Sequence, residues 1–230
     1  MADADFSSFS GETAGLAEAG RIIRSLKNAE CDAVVMAGVV RRPDFRSLKP
    51  DWRGAALIPK LVAAAARGDG AILSALVETL ESEGFIVVGA DEAMHELLVA
   101  QGQLGRLAPD LGALADIAKG AAVIRALGPY DVGQGAVVAS GHVLAIEAAE
   151  GTDAMLDRCA ALRATDRDGA RNGVLVKRPK PQQEMRVDLP TIGAETIRRA
   201  CAAGLSGVAV EAGKAIAIDA DEVAATADAL

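Results

Sequence analysis

Between Val174 and Gly193 the chain reads VLVKRPKPQQEMRVDLPTIG, gathering charge, proline and amide groups where the flanking sequence is small and apolar. Lys177, Arg178, Lys180 and Arg186 stand there beside Glu184 and Asp188, a local inversion of sign in a chain whose formal net charge is -8. Lys177, Lys180 and Arg186 suit phosphoryl oxygens, Arg186 two at once. Asp188 can hold a divalent cation or orient a water. Pro179 and Pro181 fix φ and remove two backbone donors, so Lys177 to Gln182 is expected to be an ordered, extended loop, neither helix nor central strand. In Arg186-Val187-Asp188-Leu189 a period of two would place Arg186 and Asp188 on one side and the apolar pair on the other. The plainer alternative is a surface loop whose charges pair with each other.

A second constellation runs from Glu147 to Leu156, EAAEGTDAML. A strand entering Gly-Thr-Asp at a helix start exposes backbone N–H groups, favours an anion through the helix dipole and supplies carboxylates beside it. Phosphate with a divalent cation fits such a place; an ordinary N-cap by Thr152 or Asp153 explains the same spacing. A third candidate is Gly38 to Phe45, GVVRRPDF, lying beyond the end of an apolar run where open α/β sheets bind ligands, with Arg41 and Arg42 available. Two solvated arginines before a turn account for it equally well. The two histidines, His95 and His142, read as exposed structural residues. Cys31, Cys159 and Cys201 have no CxxC or Cys/His spacing, so buried thiols in a reducing compartment are expected rather than a disulfide framework or zinc site.

These residues need elements to hold them. A helix is expected over residues 12–28 with Ser10 as N-cap, a buried strand at 32–38, helices at 57–67 and 71–83 with Asp69 as cap, and a strand at 85–89. Periodicity loosens from Leu97 to Leu111, where Gly102, Gly105 and Pro109 interrupt it. Beyond lie a helix at 111–127, a glycine-turned hairpin over 132–146, a short strand at 173–176, a helix at 194–203, strands near Val208 and Ile216, and a last helical pattern. The fold class is therefore α/β in two domains: a Rossmann-like parallel α/β domain over residues 1–96, a linker at 97–110, and a distinct mixed α/β C-terminal domain over 111–230. No GxGxxG or GxxxxGK[ST] phosphate loop occurs in the 230 residues. With only two strands in the N-terminal sheet, apolar edges stay unpaired, and self-association as a homodimer or lowered stability is expected.

Composition bounds the partners. A hydrophobic content of 51% provides for a proper core. A sequence pI near 4.9, without an extended basic run, excludes a nucleic-acid partner. No apolar run approaches the ~20 residues of a spanning helix, and the expected location is cytoplasmic.

The motifs Gly133-Gln134-Gly135-Ala136-Val137-Val138, Glu150-Gly151-Thr152-Asp153-Ala154-Met155 and Gln183-Glu184-Met185-Arg186-Val187-Asp188-Leu189-Pro190-Thr191-Ile192-Gly193, with Ala37 to Phe45 ahead of them, are similar in order and spacing to those of the LpxI family of UDP-2,3-diacylglucosamine pyrophosphatases of lipid A synthesis. The resemblance implies two domains closing over the substrate and Mg²⁺-assisted release of UMP and 2,3-diacylglucosamine 1-phosphate, with attack at the phosphorus nearer the sugar. It places the catalytic aspartate at Asp188. Gly38, Arg42, Gln134, Thr152, Lys177, Lys180, Gln183, Arg186 and Thr191 become the expected substrate-binding residues, and Asp188 and Asp153 the Mg²⁺ ligands. It also implies peripheral contact with the inner-membrane surface, where the UDP-linked diacylglucosamine substrate resides. Family members resembling this chain carry a first strand and a Gly-Gly-Gly loop ahead of the residues seen here and one more strand after the last helix. The alternative is therefore a non-catalytic glycolipid- or nucleotide-sugar-binding protein that has lost turnover through truncation.

Overall fold

The computed structural model describes residues 11–38, 48–164, 171–181 and 183–230. Ser10, Arg41, Arg42 and Gln182 lie outside these residues. The chain divides into two compact units, Met1–Val34 with Gly38–Val87, and Val35–Ala37 with Val88–Leu230.

The first unit carries α1 (Ala19–Asn28), β1 (Ala33–Val35), α2 (Trp52–Ala65), α3 (Asp69–Ser82) and β2 (Ile86–Val88), the two strands forming a small sheet that runs on to the unit boundary. The first helix starts later than periodicity suggests, because residues around Gly15 close a turn, Glu18 N donating to Gly15 O at 2.9 Å. The second starts earlier, at Trp52, where the Asp51 carboxylate accepts from Gly54 N at 2.7 Å and caps the orphan donor. Asp69 is the first helical residue behind Gly68 rather than a cap. Ile23, Ala64, Ala65, Ala75, Val77, Phe85 and Val87 are buried. Glu83 ties the helices together by accepting from Lys27 at 2.8 Å and Arg53 at 2.7 Å.

The second unit opens with the short α4 (Ala90–Ala93) and then α5 (Leu111–Leu127), whose N-cap Asp110 accepts from Ala113 N at 2.7 Å. The intervening segment, irregular in sequence, has two anchors. Val99 N donates to Ala215 O at 2.9 Å and its side chain is buried with Ile192, Ala217 and Val223. Arg106 N donates to Asp228 Oδ1 at 2.7 Å.

The main sheet has the order β4-β3-β5-β7, from β3 (Gly135–Ala139), β4 (His142–Ile146), β5 (Val174–Lys177) and β7 (Gly207–Val210). The pairs β3–β4 and β3–β5 are antiparallel and β5–β7 is parallel. The hairpin turn is Ser140-Gly141, with φ of 50° and 78°, as a type I′ turn requires. Buried Asp116 on α5 holds this turn, accepting from Ser140 N at 2.8 Å and Gly141 N at 2.7 Å.

Period two sorts the central strands cleanly. Ala136, Val174 and Val176 pack under α5 with Ile124, while Val137 and Leu175 face α6 (Gly151–Arg163) and α7 (Ala194–Ala202) through Met155, Leu156, Cys159 and Ala200. A second, two-stranded parallel sheet, β6 (Thr191–Ile192) with β8 (Ile216–Ala217), had no signal in the sequence beyond the latter strand; α8 (Ala220–Ala229) covers it through Val223. Among the cysteines Cys159 alone is buried, and Cys31 and Cys201 are half-buried, against the expectation for those two.

Candidate active site

Lys177 is the last residue of β5 and thus part of a central strand, not of the loop assigned to it above; the prolines act only from residue 179 onward. Alternation from Leu175 turns its side chain toward the α6 face. There its Nζ donates to Thr152 Oγ1 at 2.8 Å and to the Thr191 carbonyl at 3.1 Å. The residue is 5% exposed. Burial pushes its ammonium below the ordinary lysine range, opposed by the charges of Glu147, Asp153 and Asp188 in that order.

Thr152 sits in the first turn of α6 but does not cap it. Its hydroxyl donates instead to Glu147 Oε1 at 3.0 Å, and the residue before the helix, Glu150, makes no side-chain cap bond. Gly151, at φ of 80°, allows the abrupt entry into the helix. Asp153 is exposed, with its carboxylate 3.7 Å from Arg199 Nε. Thr191 contributes through its main chain, while its hydroxyl donates to Leu189 O at 3.1 Å.

Asp188 is half-buried in a network of amides. Gln134 Nε2 approaches Asp188 Oδ1 at 3.4 Å, and Gln183 Nε2 donates both to Gln134 Oε1 at 2.9 Å and to the Asp188 carbonyl. Gln183 is itself fixed because its Oε1 accepts from Lys180 N at 2.9 Å. Lys180 Nζ donates to Asp131 Oδ1. Burial raises the Asp188 carboxyl above the usual carboxylate range; the Lys180 charge, the Gln134 bond and Lys177 act the other way, and Asp131 adds to the rise.

Residues 185–187 form a turn rather than an extended run, with Val187 N and Asp188 N donating to Glu184 O at 3.2 and 3.1 Å. The expected alternation of Arg186 and Asp188 therefore does not apply. The Arg186 guanidinium embraces Glu184, Nε to Oε1 at 2.9 Å and the terminal nitrogen to Oε2 at 2.8 Å, holding that carboxylate low in its range.

The structure thus gathers these residues into two hydrogen-bonded groups within the second unit, Thr152, Lys177 and Thr191 in one and Gln134, Lys180, Gln183 and Asp188 in the other, with the charges of Lys177 and Asp188 acting on each other. Arg186 joins the latter group through the chain and is engaged by Glu184. Gly38 belongs to the first unit, beyond β1, at φ of 109°. Asp131 was not singled out from sequence, and Glu147 entered only as the first residue of the Glu147–Leu156 stretch, with no role of its own. The signal for Glu147 was present in the glycines of Gly133-Gln134-Gly135: a Cβ at Gly133 would stand 1.9 Å from the Glu147 carbonyl oxygen, and one at Gly135 2.5 Å from Glu147 Oε2. Asp131 adopts a left-handed φ of 56° after a short 3-10 turn, a position tolerant of aspartate.

Two lysines, one paired with Asp131 and one bridged through Thr152 to Glu147, beside an Asp188 contacted by the Gln134 amide, suit an anionic substrate better than an acid–base relay among themselves. As for a metal, no group of three His, Cys, Asp or Glu able to hold one occurs among the described residues. Mg²⁺ needs no such cage, because it keeps several waters and takes one or two carboxylates together with substrate phosphates. Asp188 fits that role because its carboxylate, with one long contact of 3.4 Å from Gln134 Nε2, has oxygen capacity for a cation; Asp153, exposed and beside Arg199, fits it less well.

Family models of the LpxI N-terminal domain and the LpxI C-terminal domain match residues 1–97 and 100–230. The UDP-2,3-diacylglucosamine pyrophosphatase LpxI of Caulobacter vibrioides is 48% identical over 232 aligned residues, spanning 100% of this chain and 83% of that protein. Matched in both halves and along its whole length, the chain belongs to the LpxI family.

Proposed function

We propose that this protein hydrolyses the pyrophosphate bond of UDP-2,3-diacylglucosamine, giving UMP and 2,3-diacylglucosamine 1-phosphate for lipid A biosynthesis. The observation that carries the reading is the full-length identity of 48% to a pyrophosphatase of that name. The geometry of the second unit supports it. Attack on a pyrophosphate requires neutralising crowded oxygens and positioning a water, and little covalent chemistry from the protein. Lys177 and Lys180, already fixed by Thr152, Thr191 and Asp131, are suited to receive phosphoryl oxygens with little ordering cost. Arg186 can add a bidentate contact by sharing its guanidinium with Glu184. Asp188, oriented by Gln134, orients the attacking water toward the phosphorus nearer the sugar and would hold Mg²⁺. When bound, that ion supplies Lewis-acid polarisation of the phosphoryl oxygens.

We assign the nucleotide to the first, Rossmann-like unit, with Gly38 and Arg42 as contacts. Peripheral attachment to the inner-membrane surface is supported by the exposed Leu107, Leu111 and Leu114 at and before the start of α5. No helix among the described residues is long and apolar enough to cross a membrane. Homodimer formation through the small sheet is supported by the exposure of Val35 and Ile86. The test is a ³¹P NMR assay of the purified protein with UDP-2,3-diacylglucosamine and Mg²⁺, paired with equilibrium binding. Growth of two phosphomonoester signals is expected. Binding with no turnover would replace the enzyme by the glycolipid-binding alternative.

A further inference from the structure

Glu147, one residue beyond β4, is 8% exposed, and its Oε2 has no hydrogen-bond partner among the described residues. A buried carboxylate left half-satisfied is costly and calls for an explanation. Its backbone N donates to Gly135 O at 2.9 Å, so its place is set by the hairpin, and Gly133 and Gly135 keep clear the space it fills. Oε1 accepts the one proton of the Thr152 hydroxyl at 3.0 Å. That leaves the hydroxyl lone pairs to face Lys177 Nζ at 2.8 Å. A hydroxyl donating to a carboxylate is polarised into a stronger acceptor. With a second N–H given to Thr191 O, the ammonium keeps a third for a ligand.

We propose that Glu147 is the positioning residue for Lys177, using Thr152 as a bridge to keep the lysine ammonium charged and aimed into the site. The proposal rests on the phosphate-binding role given to Lys177 above. Other charges face Lys177 or lie close by. Asp153 on α6 is 3.7 Å from Arg199; Asp188 precedes β6 and is flanked by the Lys180–Asp131 pair; Arg178 and Glu211 pair with each other at 2.8 Å beside the ends of β5 and β7. Asp188 is committed to water or cation in the reaction, and Asp153 is open to solvent. Glu147, sealed behind Thr152, is the counter-charge that neither substrate nor solvent screens. Burial alone would drive Lys177 toward the neutral amine.

Glu147→Gln keeps the shape and the Oε1 acceptor and removes the charge. The Lys177 side chain, followed by its ¹³Cε NMR shift against pH, is expected to titrate about one pH unit lower in E147Q than in wild type. The alkaline limb of the hydrolysis profile should move down by the same amount. Glu147→Asp, which keeps the charge, is expected to stay much nearer the wild-type midpoint. Equal midpoints in wild type and E147Q, or a fall in E147D as large as in E147Q, overturn the proposal. Should E147Q fail to fold while E147D folds with the wild-type midpoint, the requirement for charge is met. Absence of hydrolysis in wild type would remove the functional reading, yet the NMR midpoints would still decide the positioning role.

Discussion

Replacing Asp188 by Asn should separate turnover, binding and stability in one variant. The carboxylate makes one long contact, 3.4 Å from Gln134 Nε2, and an Asn Oδ1 can accept the same donor. Little structure is lost. Removing the negative charge takes away no group that holds phosphate, so substrate affinity should stay within about tenfold, ~1.4 kcal/mol. Water orientation and cation binding at that point vanish, so kcat should fall by at least about 10³-fold, ~4 kcal/mol of transition-state stabilisation. Stability should move the other way. Burial raises the Asp188 carboxyl, so the folded chain binds that proton more readily than the unfolded chain. The associated stability is full below the ordinary carboxylate range and is lost as pH rises through the raised value. Asn suffers no such loss. D188N should therefore melt higher than wild type at neutral pH, and the difference should close below about pH 4. Turnover assays, equilibrium binding and thermal unfolding across pH provide the readings. Activity within a few-fold of wild type would remove Asp188 from the chemistry, and a lower melting temperature at neutral pH would refute the electrostatic argument.

Asp116→Ala removes the buried acceptor that holds the exposed Ser140-Gly141 turn; because water can replace it at the two N–H groups, a loss of about 1–2 kcal/mol is expected in denaturant unfolding, and an unchanged midpoint would contradict it. Gly133→Ala drives a Cβ to 1.9 Å from the Glu147 carbonyl at a φ of 44°. It should cost about 2 kcal/mol or more and depress hydrolysis with it, whereas a variant as stable and active as wild type would show that the hairpin does not fix Glu147.

How much of this was readable from residues alone depended on range. The 17-residue helix α5 spans the expected residues 111–127 because its pattern is local, while the Asp110 carboxylate that caps it through Ala113 N is a feature the structure adds. The β3–β4 hairpin followed from alternation around Ser140-Gly141, again local. At Lys177 local logic failed: prolines two and four residues on suggested a loop, while pairing of β5 between β3 and β7 carried the strand one residue further and buried the ammonium. At Arg186 to Asp188 a two-residue period suggested an extended run, yet hydrogen bonds to Glu184 O and the Arg186–Glu184 pair made it a turn. The motifs located Asp188, Thr152, Lys177 and Gln134 individually. Their convergence depends on which strand lies beside which, and a buried carboxylate such as Glu147 shows its importance only once its neighbours do.

The most direct measurement is product analysis by mass spectrometry after incubating the protein with UDP-2,3-diacylglucosamine and Mg²⁺ in H₂¹⁸O. The account predicts unlabelled UMP and one ¹⁸O in 2,3-diacylglucosamine 1-phosphate, in equal amounts. Intact substrate, or release of UDP in place of UMP, would contradict it.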